Sequence, residues 1–299
     1  MNMKIYLIRF SLFLFLPLIS GSHSAPDSNR EFITIWQTHK RHELITLPLI
    51  PDGIYNFSVD WGDGTSDTVT SFEKNVAHIY RFPGIFRIAI NGTIIGWQFG
   101  NDRENAERLI EIVQWGPLSL GDTKEQFRYC ENMTISAKDI PDLTSTTDLS
   151  KMFYNCKKLK KIPSLNKWDV SGIVSMEKMF AYAEHFNQNL SDWDVSNVEN
   201  MEGMFRGVRL FNRNISRWNT SKVATMAEMF SGAEAFNQDI SNWDTSSVRD
   251  MSFMFSDTDC FNQNLSLWDT SHVVKMDSMF SHAESFNGYE HDVLQSGVV

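Results

Sequence analysis

The chain has 299 residues, with 37 acidic against 27 basic side chains and a formal net charge of −10. That balance disfavours nucleic acid and anionic lipid as partners, since both demand a surplus of Lys and Arg on the binding face. Three cysteines are too few for a disulfide scaffold.

Lys4 and Arg9 precede the apolar run Phe10–Ile19, and Ser22 and Ser24 stand as small cleavage-site residues before Ala25. This pattern predicts a secretory signal peptide over 1–24 and a secreted or cell-surface mature protein. No later run approaches the roughly 20 apolar residues needed to cross a bilayer, so no membrane span is expected.

Residues 25–96 alternate apolar and polar side chains in IYNFSVDW, AHIY and IFRIAI, separated by turn clusters at Asp60–Thr65 and Pro83-Gly84. Short antiparallel strands are expected, forming a small all-β sandwich. Residues 97–163 are transitional: Ile110, Ile112, Val113 and Trp115 suggest a strand, and FRYCENM and LSKMFYNCKKL are degenerate repeats suited to an N-terminal cap. Cys130 and Cys156 occupy matching places in those two units. Adjacent rungs of a stacked sheet lie about 4.8 Å apart, so the pair could form a disulfide or stack as buried thiols. Cys260 is expected to be a small apolar filler.

From 164 to 287 one unit recurs every 25 residues, marked by Trp168, Trp193, Trp218, Trp243 and Trp268. Unbroken tandem units of this size imply stacked supersecondary elements that bind rather than catalyse. Within a unit, Val198, Met201, Met204, Phe205 and Val208 follow the 3–4 spacing of one helical face. A short amphipathic helix is predicted there, capped by Ser171, Ser196, Ser221, Ser246 and Ser271, with Ser196 and Glu199 as a capping box. Asp169, Asp194, Asn219, Asp244 and Asp269 are second candidate caps. FNQNLSDW is predicted to be the strand, bent before Trp193 because Leu190 and Trp193 are three apart rather than two. The fold expected is an α/β solenoid of leucine-rich-repeat type, with short parallel strands and short helices, behind a small immunoglobulin-like sandwich. Asn187, Asn212, Asn237, Asn262 and Asn287 are expected to form a structural ladder between rungs. The tail 288–299 carries no Trp and no capping pattern, which implies partner docking, self-association through the last rung or a truncated reading frame.

The motifs VDWGDGTSD (59–67), His78-Ile79-Tyr80 and Pro83-Gly84-Ile85-Phe86 resemble a PKD-type immunoglobulin-like module, which implies a spacer or adhesion domain. The unit W-D-x-S-x-V-x-x-M-x-x-M-F-x-x-A-x-x-F-N resembles the BspA-like repeat of the leucine-rich class. That resemblance implies an exported surface protein engaged in adhesion or protein interaction.

Chemical motifs are scarce. Asp60, Asp63 and Asp67 lack the spacing of a calcium loop, and the Asp column is read as capping rather than as a calcium site. No histidine has metal-ligand spacing, and no nucleophile elbow, zinc-protease, phosphate-loop or dinucleotide motif is present. The protein is therefore expected not to be an enzyme and to hold no cofactor, with calcium the disfavoured alternative. N-x-S/T triplets begin at Asn56, Asn91, Asn132, Asn189, Asn214, Asn219 and Asn264, three of them products of one repeat column. Positions that vary between copies should carry specificity, and the column before Trp (Lys167, Asp192, Arg217, Asn242 and Leu267) is the candidate ligand face. The ligand expected is an extracellular protein or glycan. A structural self-assembly component and a carbohydrate-binding protein, the latter on Tyr182 and Tyr289, are the alternatives.

Overall fold

A computed structural model describes residues 31–73 and 76–287. The predicted signal peptide, the first residues of the 25–96 unit and the tail 288–299 lie outside them. Strands are β1 (Glu31–Thr38), β2 (Glu43–Thr46), β3 (Ile54–Asp60), β4 (Ser66–Val69), β5 (Ala77–Tyr80) and β6 (Gly84–Ile95). After one helical turn, α1 (Arg103–Ala106), come β7 (Leu109–Gln114), β8 (Leu118–Ser119) and β9 (Thr134–Ile135). In β3 the alternation works as physics requires: Tyr55, Phe57 and Val59 are buried while Asn56, Ser58 and Asp60 face water.

The main sheet runs β4-β3-β6-β1-β7-β9, with β8 on the far end of β6, and β2 and β5 form a second small sheet. The first correction is to the fold class, because the main sheet is not an immunoglobulin-like sandwich of residues 25–96 alone. β7 pairs with β1, and β8 and β9 join in parallel, so the sheet is mixed and draws strands from beyond Gly96. Leu109, Ile112 and Trp115 are buried, and that apolar face needs the cover of the N-terminal strands.

The second correction concerns the repeats, which contain neither the predicted helix nor the predicted strand. The only helical turns among the described residues are α1 and a three-residue 3-10 turn at Leu165–Lys167. Each rung is instead a run of tight turns, so the expected α/β solenoid does not form. Met204, Arg206, Val208 and Phe211 donate their N–H to the carbonyl three residues back, while Met201, Gly203, Phe205 and Gly207 donate theirs to the next rung, at Thr225, Ala227, Met229 and Ser231. Consecutive three-residue turns repeat the 3–4 spacing that reads as a helix. Val198, Met201, Met204, Phe205 and Val208 are indeed all buried. Ser, Asn and Asp side chains take the remaining amides at the corners. Asp194 accepts from Ser196 at 3.0 Å, Asn200 from Glu202 at 2.9 Å and Asn214 from Ser216 at 2.9 Å. Such local bonds compete with helix formation, so the predicted caps are corners of turns.

FNQNLSDW is likewise not a strand. Trp193 N–H donates to Leu190 C=O at 3.2 Å, which closes a β-turn whose two ends are both buried. That is the reason for the spacing of three. Parallel pairing is confined to one residue per rung, Ser175↔Asn200↔Thr225↔Asp250↔Lys275, just ahead of the first Met.

The core is a set of side-chain columns. Phe127, Phe153, Phe180, Phe205, Phe230, Phe255 and Phe280 stack with centroids 5.5 to 6.1 Å apart. A second column, Phe186, Phe211, Phe236, Phe261 and Phe286, is spaced 6.0 to 6.3 Å and lies 3.9 to 4.1 Å from its rung-mate in the first. Each rung contains two residues of positive φ, at 178 and 182, 203 and 207, 228 and 232. Gly207 (φ 66) is needed for space as well, because a Cβ there would sit 2.7 Å from Tyr182 Cδ1.

Candidate ligand-binding face

The turn Leu190–Trp193 places its two ends in the core, half-buries Ser191 and sets Asp192 in solvent. Lys167, Asp192, Arg217, Asn242 and Leu267 all occupy the third position of this turn, and all five are exposed, Leu267 to 72 %. They line up on corners rather than on the strand face expected. Beneath them Trp168, Trp193, Trp218, Trp243 and Trp268 are buried. The indole N–H of Trp193 donates to Leu165 C=O, Trp218 to Leu190, Trp243 to Ile215 and Trp268 to Ile240, at 3.0 to 3.1 Å. The corners from Asp192 to Leu267 are thus pinned to the rung before them, whereas the buried Trp168 indole N–H has no hydrogen-bond partner among the described residues.

Neighbouring columns are committed to the stack. The side-chain oxygen of Asn187 accepts from the backbone N–H of Asn212, Asn212 from Asn237, Asn237 from Asn262 and Asn262 from Asn287, at 3.0 to 3.1 Å. The ladder runs along the surface, not inward. Asp169, Asp194, Asp244 and Asp269 accept from the Ser two residues on, and these hydroxyl and amide hydrogen bonds hold their carboxyls below the ordinary carboxylate range. Asn219 makes the same bond with a neutral amide, at 3.2 Å, so the geometry rather than the charge is what this column supplies. Asn189, Asn214 and Asn264, which begin N-x-S triplets, are also turn acceptors for their Ser.

Other sequence candidates take structural places. In the 60–67 loop Asp60 accepts from Gly62 N–H, Asp63 from Thr65 and Asp67 from the Trp61 indole, while the His78 ring lies 2.8 Å from Asp63 and stacks on Trp61. Cys130 and Cys156 are buried free thiols rather than a disulfide. Burial pushes both thiols up, and Cys156 Sγ donates to Phe127 C=O. Cys260 is exposed and fills no core space. The ring face of Tyr182 is occupied by Arg206, at 5.8 Å, and Tyr289 lies outside the described residues.

Sequence reading missed two features beside these columns. One is a set of cross-rung ion pairs, Lys151–Glu177 at 3.1 Å, Lys178–Glu202 and Arg206–Glu228. Opposite charges some 25 residues apart are their signal. The other is a half-buried cluster in which Arg128 lies over Tyr129 and Tyr154, at 4.6 and 5.3 Å, and Tyr154 meets Tyr182 edge-on at 5.4 Å. A cleft of about 570 Å³ between Gly116, Ile140–Thr147 and Asp169–Gly172 contains carboxylates already engaged with Thr144 and Ser171.

Rungs that commit most side chains to their neighbours and expose one varied column define a tandem-repeat stack. The family described as "Mycoplasma protein of unknown function, DUF285" matches residues 121–219 and 189–293, more than half of the chain, and the protein belongs to that family. The match falls on the repeats and supports the coarser resemblance, a surface protein of the BspA type. No curated protein and no solved structure matches the chain. Among the described residues no helix is long and apolar enough to cross a membrane.

Proposed function

We propose that the protein is a secreted or surface-exposed adhesion or interaction protein that binds an extracellular protein or glycan along the corner column of its repeats. One observation carries this reading. Lys167, Asp192, Arg217, Asn242 and Leu267 differ in every copy and stand exposed in register, each before a buried Trp, and in the last four copies the Trp indole is hydrogen-bonded to the rung before. Turns held by a rigid stack are where recognition residues concentrate, because they can vary without disturbing the core. Cation, anion, amide and aliphatic side chains in one row give a composite surface for a large ligand, not a pocket for a small one. The PKD-like module would serve as a spacer ahead of it.

The test is capture of the chain on a panel of extracellular-matrix proteins and glycans, with and without calcium, beside the double variant Asp192→Ala/Arg217→Ala. The expected result is saturable binding that falls at least tenfold in the variant at an unchanged melting temperature. Undiminished binding, or a lowered melting temperature, would show that the column does not recognise the ligand.

A further inference from the structure

Residues 157–167 contain five lysines and no acidic side chain, within a chain of formal net charge −10. They belong to a rung of unusual length. Cys156 and Leu159 take the places of Ala183 and Phe186 in the next rung, since both pairs close the same turn, yet Leu165 follows Leu159 two residues later than Leu190 follows Phe186. The added residues keep the step of three. Leu159, Ile162, Leu165 and Trp168 are buried, and Lys158, Lys160, Lys161 and Lys167 are exposed around them.

The segment is held from both sides. Ile162 N–H donates to Gln188 Oε1 at 2.6 Å and Gln188 Nε2 donates back to Ile162 C=O at 3.2 Å, which ties it to the following rung. Lys158 N–H donates to Glu131 C=O at 3.1 Å and Ser164 Oγ to Lys138 C=O, which ties it to the preceding one and brings the exposed Lys138 alongside. Elsewhere in the stack cations meet carboxylates: Lys151 pairs with Glu177, Lys178 with Glu202, Arg206 with Glu228 and Lys275 with Asp250. Lys158, Lys160 and Lys161 have no such partner among the described residues. In the facing segments 131–139 and 183–191 the acids are Glu131, Asp139 and Glu184. Glu131 is taken by Arg103 and Lys157, Asp139 accepts from the N–H groups of Trp115 and Gly116, and Glu184 is half-buried.

We propose that Lys158, Lys160 and Lys161, with Lys138 beside them, form a binding site for a sulfated polysaccharide. Lysines fixed on one short segment repel one another, and a polyanion that binds them relieves the repulsion while shedding its own counterions. Insertions in solenoid repeats gather on one face, which is often the binding face. Because the backbone is already held, binding orders only the lysine side chains. A small basic patch on an acidic body selects a flexible chain with separated anionic groups. Duplex nucleic acid, with one charge per ~1.7 Å, and an anionic bilayer would carry their negative field past the patch onto the acidic surface around it. The choice of an extracellular polysaccharide rests on the exposure proposed above, whereas the patch itself does not involve the corner column.

The test is titration of the full chain with heparin at low ionic strength. Saturable binding is expected, weakening steeply with added salt. Lys158→Gln/Lys160→Gln/Lys161→Gln should lower the affinity at least tenfold and flatten the salt dependence, at an unchanged melting temperature. Lys158→Arg/Lys160→Arg/Lys161→Arg should keep it, which separates lost charge from lost structure. Two controls locate the site. Lys40→Gln/Arg41→Gln/Arg81→Gln removes three exposed cations near the N-terminal strands, and Asp192→Ala/Arg217→Ala alters the corner column; both should bind heparin within twofold of the parent. A failure of the corner-column reading therefore leaves the heparin result untouched. Equal loss in the first control, equal binding of desulfated heparin, or no binding at all overturns the inference. So does a preference for duplex DNA or phosphatidylglycerol vesicles over heparin.

Discussion

Phe230→Ala should remove about 3–5 kcal/mol of stability, the range for emptying a fully buried aromatic site. Phe230 has no exposed surface and touches four aromatic neighbours: Phe205 at 5.8 Å, Phe255 at 5.7 Å, Phe236 at 3.9 Å and Trp243 at 6.2 Å. Loss of one ring leaves two rungs facing a cavity that neither can fill. In a stack where each rung contacts only its neighbours, damage in the middle weakens coupling between the two sides. Urea unfolding should show a lower midpoint and, in the variant, separation into two transitions. Phe280→Ala in the partly covered last rung is the control, with a loss less than half as large. Equal losses at the two positions would refute the nearest-neighbour account.

Arg108→Met should cost about 3–5 kcal/mol at neutral pH by leaving a buried carboxylate without its cation. Glu43 is 5 % exposed, and its Oε1 accepts from Arg108 Nε at 3.1 Å and Nη2 at 3.0 Å. Its Oε2 accepts from the backbone of His39 and Lys40. Burial raises the Glu43 pKa, but the His39 and Lys40 amides and the Arg108 guanidinium together outweigh it and leave the group below its ordinary value of 4.5. A depressed carboxylate stabilises the fold above its unfolded pKa, and that contribution is lost as pH falls through the folded value. The difference between parent and variant, measured by urea unfolding at pH 7 and pH 4, should therefore narrow in acid. Adding Glu43→Gln to the variant should recover part of the loss at pH 7; no recovery would show that Arg108 acts by packing alone.

The repeat period, the buried Trp column and the alternating strands of the first module were legible because periodicity maps directly onto burial. The Met and Phe positions were legible too, but their meaning was not. Overlapping turns and a helix both bury every third or fourth residue, and the choice lies in where the intervening amides go. Ser171, Ser196 and Ser246 following Asp169, Asp194 and Asp244 by two residues did not decide it, because a side chain accepting the amide two residues on opens a turn and a helix alike. Leu190 and Trp193 did carry a signal, since a spacing of three with both ends apolar describes a turn better than a bent strand. The polarity of the rung faces could not be read from residue types, because backbone groups create it. The exposed corner column was legible as variation, and only the turn geometry shows that all five positions face solvent.

The most direct test of this architecture is residue-resolved hydrogen exchange on the free chain, comparing Met251, Phe253, Phe255 and Asp257 with Glu202, Ala227 and Ser252, whose amides are taken by the side chains of Asn200, Thr225 and Asp250. The turn-built stack predicts slow exchange in the first set, whose amides bond to the next rung, and exchange faster by at least tenfold in the second. Equal protection of the two sets, as hydrogen bonds within helices would give, would contradict it.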